Sequence, residues 1–387
     1  MQWMVPANIL GQEQTLILDQ CVKSTDACDW IQGFAGSGKT VLLVHAMEIL
    51  RTKSPDKSLC FVTFTHALKD MVGSGLSDKT KGIPIQTVDS FVREGKKYSI
   101  VLADEIQDIE EWKLKKLKSL CDRLIIAGDV DQSIYDKGVS ESDISGLLKP
   151  ATHRLTVLYR LTQSLQTIAR AILPNTSIAG AKISRGQDTD VVLAKADSDE
   201  SETAWIIKKA DLLSKPGRPS VVILPKSDAI FNFVENVAIA KGVPRPKKVY
   251  VEGKYKKLDW DAINDYLKAK GIALRYLGSG FGDLVESDKT SITYVMTYHS
   301  SKGLDFAHVF LPQMNDDISL WKNDPEMEKR LFFVGVTRSR ENLFISYSTE
   351  EPHELVGDLP SKSIKQQSCE EGASSHSTDD DPNEIYF

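Results

Sequence analysis

The eight residues 33–40, which read GFAGSGKT, constrain the fold more than any other stretch of this chain. They fit the pattern GxxxxGK(S/T) in full, between an apolar stretch at 30–32 and a helical apolar spacing at 41–51. In such a strand–loop–helix unit the glycines let backbone N–H groups face a phosphate, and the helix N-terminus adds positive charge. The sequence therefore predicts a nucleotide-phosphate site formed by Gly33, Gly36, Ser37, Gly38, Lys39 and Thr40.

A second pattern supplies carboxylates for the same chemistry. The apolar residues 99–103 are typical of a buried strand, and Asp104 and Glu105 follow at its C-terminal end. On a strand neighbouring the phosphate loop, Asp104 would hold Mg²⁺ with the Thr40 hydroxyl, and Glu105 would orient and deprotonate the attacking water. Lys39 would place its charge on the β- and γ-phosphates. ATP and Mg²⁺ are therefore the expected cofactors.

Apolar stretches of strand length alternate with helical stretches along the chain. This alternation is typical of an α/β fold in which parallel sheets are flanked by helices. Strands are expected at 59–64, 99–103, 124–127, 191–193, 221–224, 291–297 and 308–311. Gly146, Pro150 and His153 interrupt the pattern, so we expect a first domain at 1–150, a second at 151–350 and a tail at 351–387.

Composition excludes several classes of protein. No apolar run is long enough to cross a bilayer, and the first residues lack a signal-peptide pattern, so we expect a cytoplasmic protein with no membrane partner. The five cysteines are dispersed without CxxC spacing, which indicates reduced thiols rather than disulfides or a metal cluster.

Charge is unevenly distributed. The formal net charge is −6, but residues 350–387 contain ten acidic and two basic residues, so the rest of the chain is nearly neutral. Any surface for a polyanion must therefore be local. The tail is expected to be disordered because it is acidic and contains few apolar residues. Residues 241–255 are rich in lysine and form either a phosphate-contacting loop or a merely solvated one.

Residues 104–108 (DEIQD) and 128–135 (GDVDQSIY) resemble motifs II and III of the UvrD/Rep/PcrA superfamily 1 helicases. The remaining motifs of the family have counterparts in the same order, and the resemblance spans about 8–349. These counterparts are 10–14 for the Q motif, 61–65 for Ia, 87–91 for Ib, 158–160 for IV, 297–306 for V and 330–338 for VI. The resemblance implies two RecA-like P-loop NTPase domains with the ATP site in the cleft between them.

The resemblance also implies roles at the ATP site. Gln14 would contact adenine and Tyr159 would stack on it, while Gly303 and Asp305 would lie beside the ribose, where the family has a glutamate in place of Asp305. Three further side chains would reach the γ-phosphate, the last two from the second domain as arginine fingers: Gln132, Arg160 and Arg338.

A second set of positions matches the family's track for a nucleic-acid strand. Phe64 would stack on a base, which is sequence-independent because every base has a π-face. Thr65, Thr87 and Thr297 would contact phosphates, and Tyr135 is the nearest aromatic residue to a tryptophan that this chain lacks. His299 would lie near the same groove, with a core or capping role as the alternative. The implied partner is single-stranded nucleic acid, with DNA favoured over RNA.

The chain departs from the family pattern in length. Only about ten residues separate 91 from 101, and the segment 245–290 is too short for the family's usual accessory domain, although it could form a small helical hairpin. Asp89 also replaces the motif Ib histidine. These departures leave two hypotheses open: a DNA-dependent ATPase that translocates 3′→5′ and unwinds, or an ATP- and DNA-sensing regulatory subunit of a partner nuclease, as in antiphage defence. Motifs V and VI argue against a P-loop kinase for small molecules.

Overall fold

The computed structural model describes residues 3–370, except 131–132, 135–137, 175, 177, 179–180, 185, 254–255 and 322–323. Two of the predicted site residues, Gln132 and Tyr135, lie outside the described residues.

In the described part of the first domain, six parallel strands form one sheet in the order β3-β2-β4-β5-β1-β6. The strands are β1 (Cys28–Gly33), β2 (Leu59–Thr63), β3 (Ile85–Thr87), β4 (Tyr98–Ala103), β5 (Cys121–Gly128) and β6 (Ala151–Leu155). The helices are α1 (Gln12–Lys23), α2 (Lys39–Lys53), α3 (His66–Ser74), α4 (Val88–Glu94), α5 (Glu111–Ser119) and α6 (Glu141–Leu148). Strand β2 is buried along its whole length, as expected for a parallel strand covered by helices on both faces.

A short parallel pair, β7 (Val157–Leu158) and β8 (Lys182–Ile183), follows the first sheet. Seven described strands then form a second parallel sheet in the order β11-β12-β10-β13-β14-β9-β15. They are β9 (Asp190–Lys195), β10 (Ser220–Leu224), β11 (Leu274–Tyr276), β12 (Thr293–Thr297), β13 (Phe306–Leu311), β14 (Ser339–Tyr347) and β15 (Lys365–Ser368). The helices are α7 (Gln163–Ile172), α8 (Asp199–Leu213), α9 (Ser227–Ala240), α10 (Trp260–Ala269), α11 (Tyr298–Ser301), α12 (Pro325–Val336) and α13 (Glu354–Gly357).

Local chemistry accounts for where these elements begin. The Asp324 side chain accepts a hydrogen bond from the Met327 N–H, and Pro325 occupies the first helical position, so α12 starts with a favourable cap. The sequence SVVIL of β10 is wholly buried and rich in β-branched residues, which suits the centre of a parallel sheet. The predicted α/β class, with parallel sheets flanked by helices, is confirmed.

Three predictions about organisation differ from the structure. Strand β6 pairs with β1, so the first sheet ends at Leu155 rather than at 150, because the break at Pro150 precedes an edge strand. Strand β15 pairs with β9, so residues 351–370 belong to the second sheet; 371–387 lie outside the described residues. The segment 245–290 contains α10 and β11, not a helical hairpin, because β11 pairs with β12 at the sheet edge.

The two domains contact each other directly. The buried Lys302 ammonium, just after α11, lies 2.5 Å from the Asp108 carboxylate of the first domain. Arg330 of α12 donates to the Ser133 carbonyl oxygen at 3.1 Å. A Cβ on Gly303 would lie 2.6 Å from the Leu68 side chain, so this close approach requires glycine. Among the described helices, none is long and apolar enough to cross a membrane.

Candidate functional site

The phosphate loop lies between β1 and α2. Gly36 and Gly38 have φ angles of 78° and 93°, which favour glycine because a Cβ would strain the backbone. A Cβ on Gly33 would lie 2.8 Å from the Leu155 Cβ, so the loop also packs tightly beneath the end of β6. Ser37 is fully buried, and its hydroxyl donates to the Phe34 carbonyl oxygen at 2.9 Å. The resulting loop precedes the N-terminus of α2, where an anion is stabilised.

Lys39 and Thr40 begin α2. The Lys39 ammonium donates to the carbonyl oxygens of Gly33 and Phe34, at 2.7 Å and 3.0 Å, so the side chain folds over its own loop. The Thr40 hydroxyl donates to Asp104 at 2.5 Å. Hard oxygen ligands of this kind suit Mg²⁺, which usually takes one or two protein oxygens and otherwise keeps water or phosphate. The pair therefore fits a magnesium site beside the phosphate loop.

Asp104 and Glu105 follow β4, which is not the neighbour of β1, because β5 lies between the two strands. The expected adjacency is thus wrong, although the side chains still meet across the sheet end. Glu105 has φ 54° and ψ 44°, a left-handed conformation that costs a non-glycine residue free energy and is concentrated at functional sites. Burial and the Glu105 charge raise the pKa of Asp104 to about 6. Burial opposes ionisation of Glu105, but Lys302 and Lys39 outweigh it and lower the pKa of Glu105.

Gln107 connects this carboxylate to the next strand. Its amide donates to Glu105 at 2.5 Å, and its carbonyl oxygen accepts from the Asp129 N–H at 3.1 Å. A Cβ on Gly128 would lie 2.4 Å from the Gln107 oxygen, so glycine is required at the end of β5. Sequence reasoning included Gln107 in the DEIQD motif but assigned it no role. In the structure it orients Glu105.

The N-terminal helix closes the other side of the loop. Gln14 donates to the Ser37 carbonyl oxygen at 2.8 Å and accepts from the Gly11 N–H at 3.0 Å. The Glu13 carboxylate accepts from the N–H groups of Thr156 and Val157 at 2.9–3.2 Å, which fixes the chain just before Tyr159.

Tyr159 lies against the same N-terminal segment. A Cβ on Gly11 would lie 1.9 Å from the Tyr159 hydroxyl oxygen. Gln14 and Tyr159 therefore line one cleft.

Arg160 and Arg338 both line this cleft. The N–H groups of Tyr159 and Arg160 donate to the Gly36 carbonyl oxygen at 3.1 Å and 3.2 Å, which holds Arg160 against the phosphate loop. Arg338 is buried and donates to the carbonyl oxygens of Val334 and Leu304, at 2.9 Å each. Burial lowers the pKa of both arginines, and the Arg160 charge lowers that of Arg338 further. A buried and a half-buried cation that repel each other favour an anion between them.

Gly303 and Asp305 also line the cleft, which has a volume of about 490 Å³. The Asp305 carboxylate lies 3.5 Å from Arg340 Nε. Arg340 and the N-terminal Trp3 line the cleft as well, although sequence reasoning assigned neither a role. The sequence RSR at 338–340 offered a signal for Arg340, because alternate residues of an extended segment share a face. Trp3 offered none.

The predicted strand-contacting threonines share one geometry. Thr65, Thr87 and Thr297 are the N-caps of α3, α4 and α11, and each hydroxyl accepts from a backbone N–H three residues later. They lie at or just after the C-terminal ends of the parallel strands β2, β3 and β12, where the helix N-termini favour a phosphate. Capping uses each hydroxyl as an acceptor and leaves its O–H group as a donor, and the O–H of Thr297 donates to the Ser300 hydroxyl at 3.0 Å.

Two aromatic positions accompany these caps. Phe64 is half-buried beside Thr65 and packs against the core of the first domain. His299 lies 4.8 Å from the Trp321 ring, centroid to centroid, at an interplanar angle of 45°. Trp321 is therefore an aromatic neighbour of His299 that the sequence motifs did not identify.

Comparisons with known proteins agree with this geometry. A family model described as the UvrD-like helicase C-terminal domain matches residues 280–350, and one described as an AAA domain matches residues 9–195. ATP-dependent DNA helicase Rep of Buchnera aphidicola subsp. Schizaphis graminum is 47% identical over 58 residues, which cover 14% of this chain and 9% of that protein. DNA helicase II of Escherichia coli (strain K12) is 32% identical over 88 residues, 19% of this chain and 12% of that protein. The chain is therefore similar to the UvrD/Rep-like superfamily 1 helicases.

The similarity to these helicases covers part of each protein. The aligned stretches span 9% to 17% of the length of curated relatives such as Rep and the DNA helicase II of Rickettsia typhi (strain ATCC VR-144 / Wilmington). The solved structure of the PRRSV helicase superposes with a TM-score of 0.45 at 14% identity, over 89% of this chain and 57% of that chain.

Proposed function

We propose that this chain is a nucleic-acid-dependent ATPase that translocates 3′→5′ on single-stranded DNA in the cytoplasm and unwinds duplexes. The observation that carries the proposal is the composition of the cleft. Lys39 and Glu105 line it from the first domain, and Arg338 lines it from the second. Phosphoryl transfer requires cations on the developing negative charge, and an arginine finger contributes on the order of 10³–10⁵ in rate.

The residues fit ATP and Mg²⁺. Thr40 and Asp104 would hold Mg²⁺, Lys39 would leave its loop carbonyls for the β- and γ-phosphates, and Gln14 and Tyr159 would hold the adenine. Bound Mg²⁺ would neutralise charge on the phosphate oxygens. Asp305 would accept from a ribose hydroxyl, with Arg340 holding its carboxylate in place.

Glu105 is the proposed general base. Because Lys302 and Lys39 lower its pKa, the carboxylate is ionised at neutral pH and can orient and deprotonate a water aimed at the γ-phosphate. The Gln107 amide holds the carboxylate in one orientation. Arg160 and Arg338 would stabilise the charge that develops on the transferred group. Binding of ATP between the domains would close the cleft, and hydrolysis would let it open.

The regulatory-subunit hypothesis uses the same ATP site and differs in the consequence of turnover. It predicts that ATP and DNA binding switch a partner nuclease and that the chain alone does not move along a strand. The short segments that replace the accessory domains of the family favour it. The two hypotheses are therefore separated by the behaviour of the isolated chain.

The first test is ATP hydrolysis by the purified chain with and without an oligothymidylate strand. We expect strong stimulation by the strand, loss of hydrolysis in Glu105→Gln, and weaker stimulation in Phe64→Ala. Leu212→Ala is the control, because Leu212 is 69% exposed on α8 in the second domain. Displacement of a protein block from the strand then measures translocation.

Hydrolysis that is indifferent to nucleic acid would contradict the autonomous motor. Stimulated hydrolysis without displacement of the block would favour the regulatory subunit.

A further inference from the structure

The loop at residues 278–282, which reads GSGFG, has an unusual backbone. Gly278, Ser279, Gly280 and Gly282 all have positive φ angles, of 151°, 51°, 85° and 70°. The N–H and carbonyl groups of Gly278 and Phe281 bond to each other at 2.9–3.0 Å, which closes a tight turn. Ser279 and Gly280 form its exposed tip. The N–H groups of Ser279 and Gly280 take no part in closing this turn, and backbone N–H groups at an exposed turn suit an anion.

The tip lies between the two domains' strand-contacting elements. A Cβ on Gly278 would lie 2.6 Å from the hydroxyl of Ser300, to which the Thr297 hydroxyl donates at 3.0 Å. A Cβ on Gly280 would lie 4.0 Å from His66, the residue after Thr65. The loop therefore spans the gap between α11 of the second domain and α3 of the first.

A segment rich in lysine and arginine, residues 241–257, contacts the loop through Lys257. Residues 241–257 contain seven lysines and arginines and one glutamate, in a chain whose net charge is −6. The Lys257 ammonium lies 4.6 Å from the centre of the Phe281 ring, and the Lys248 ammonium lies 5.0 Å from the Phe231 ring. Such contacts restrict long side chains and hold their charges at the surface. The loop thus has a cation attached to its own aromatic residue.

Nearby acidic groups are engaged in holding the loop. Asp261 accepts from the Gly282 N–H at 3.1 Å, and Asp283 accepts from the Val285 N–H at 2.8 Å. Each of these carboxylates thus holds a backbone N–H group that lies after the tip.

We propose that the loop 278–282, with Lys256 and Lys257, is a phosphate-contacting element that continues the single-strand path from Thr65 across to the second domain. The inference rests on the proposed function and adds a contact to it. The ligand is the phosphodiester backbone of the strand, bound by the N–H groups of the tip, by the two ammonium groups and by the Ser279 hydroxyl, which shares a hydrogen bond with Tyr276 in this structure. Contacts of this kind do not depend on base sequence, and they release counterions.

The test measures the affinity of the full chain for a fluorescent oligothymidylate as a function of KCl concentration. We expect Lys256→Gln/Lys257→Gln to weaken binding on the order of tenfold at 0.1 M salt and to make the salt slope shallower by roughly 0.7 per lost contact. Lys115→Gln/Lys116→Gln on α5 removes the same charge elsewhere and should leave affinity and slope close to wild type. Ser279→Gly removes the hydroxyl and the strained side chain, so weaker binding with an intact melting transition is expected.

Each outcome has one interpretation. If the wild-type chain binds the strand and Phe64→Ala weakens it, but both loop variants match the wild type, the inference is overturned and the proposed function stands. If the Lys115/Lys116 control loses as much affinity and slope as Lys256/Lys257, the effect is one of net charge and the inference is also overturned. A wild-type chain that binds no strand would overturn both.

Discussion

Replacing Lys302 with methionine should destabilise the chain in a pH-dependent way. The Lys302 ammonium lies 2.5 Å from Asp108 and 4.0 Å from Glu105, and its side chain is 2% exposed. Removing one partner of a buried ion pair usually costs about 3–5 kcal/mol because the other charge stays buried. Here the remaining carboxyl can take up a proton instead, so the cost depends on pH.

The magnitude follows from the pKa of Asp108. Burial raises this pKa to about 7 even with Lys302 in place, although Lys302 itself lowers it. Without Lys302 the pKa rises further, so near pH 6 Asp108 is protonated in both proteins and contributes little to the cost of the substitution. Above pH 7 the wild-type carboxyl ionises beside its cation while the variant's does not. The difference in free energy of unfolding should therefore grow by about 1.4 kcal/mol per pH unit, to roughly 3 kcal/mol at pH 9.

Urea denaturation between pH 6 and pH 9 measures this difference. In Lys302→Met/Asp108→Asn the Asp108 charge is absent, so the part of the pH dependence that comes from Asp108 should disappear and only that of Glu105 should remain. ATPase assays over the same pH range should show that the pKa governing the hydrolysis rate is higher in Lys302→Met than in the wild type, because the Lys302 charge is the largest cause that lowers the pKa of Glu105. A loss of stability that is equal at all pH values, or one that Asp108→Asn does not relieve, would refute this account of the ion pair.

Three further substitutions test other parts of the structure. Burial raises the pKa of Glu202 from 4.5 to about 7, so the folded state loses stability as the pH rises from about 4.5 to 7. Glu202→Gln should therefore melt at a temperature close to that of the wild type at pH 5 and at a higher temperature at pH 8. Equal melting temperatures at pH 8 would contradict this. Tyr159→Phe should leave the KM for ATP unchanged, whereas Tyr159→Ala should raise it severalfold, because the ring is the group that stacks on the base. A raised KM in Tyr159→Phe would show instead that the hydroxyl binds the base. Gly36→Ala should lose most of its affinity for a fluorescent nucleotide and about 1–3 kcal/mol of stability. The reason is that residue 36 has a φ of 78° and that the alanine Cβ would lie 2.7 Å from the Arg160 Cβ. Unchanged nucleotide binding would show that the loop tolerates a side chain.

The sequence by itself determined the parts of this protein whose chemistry is local. The spacing of the glycines, Lys39 and Thr40 specifies a phosphate loop because loop curvature and helix start are set within eight residues. The alternation of apolar strands and helices determined the α/β class, because a parallel strand that is covered on both faces must be apolar on both faces. Asp104 and Glu105 were identified because a strand end delivers them to one edge of a sheet.

Tertiary structure decided what depends on contacts between distant segments. Strand β5 lies between β1 and β4, and β15 joins the second sheet although its sequence, KQQS, lacks any apolar signal. The partner of Lys302 is a carboxylate 194 positions earlier in the chain, and the loop 278–282 meets α3 only because the two domains face each other. Local patterns cannot specify such pairings, since the free energy that selects them comes from burial and charge compensation across the completed cleft.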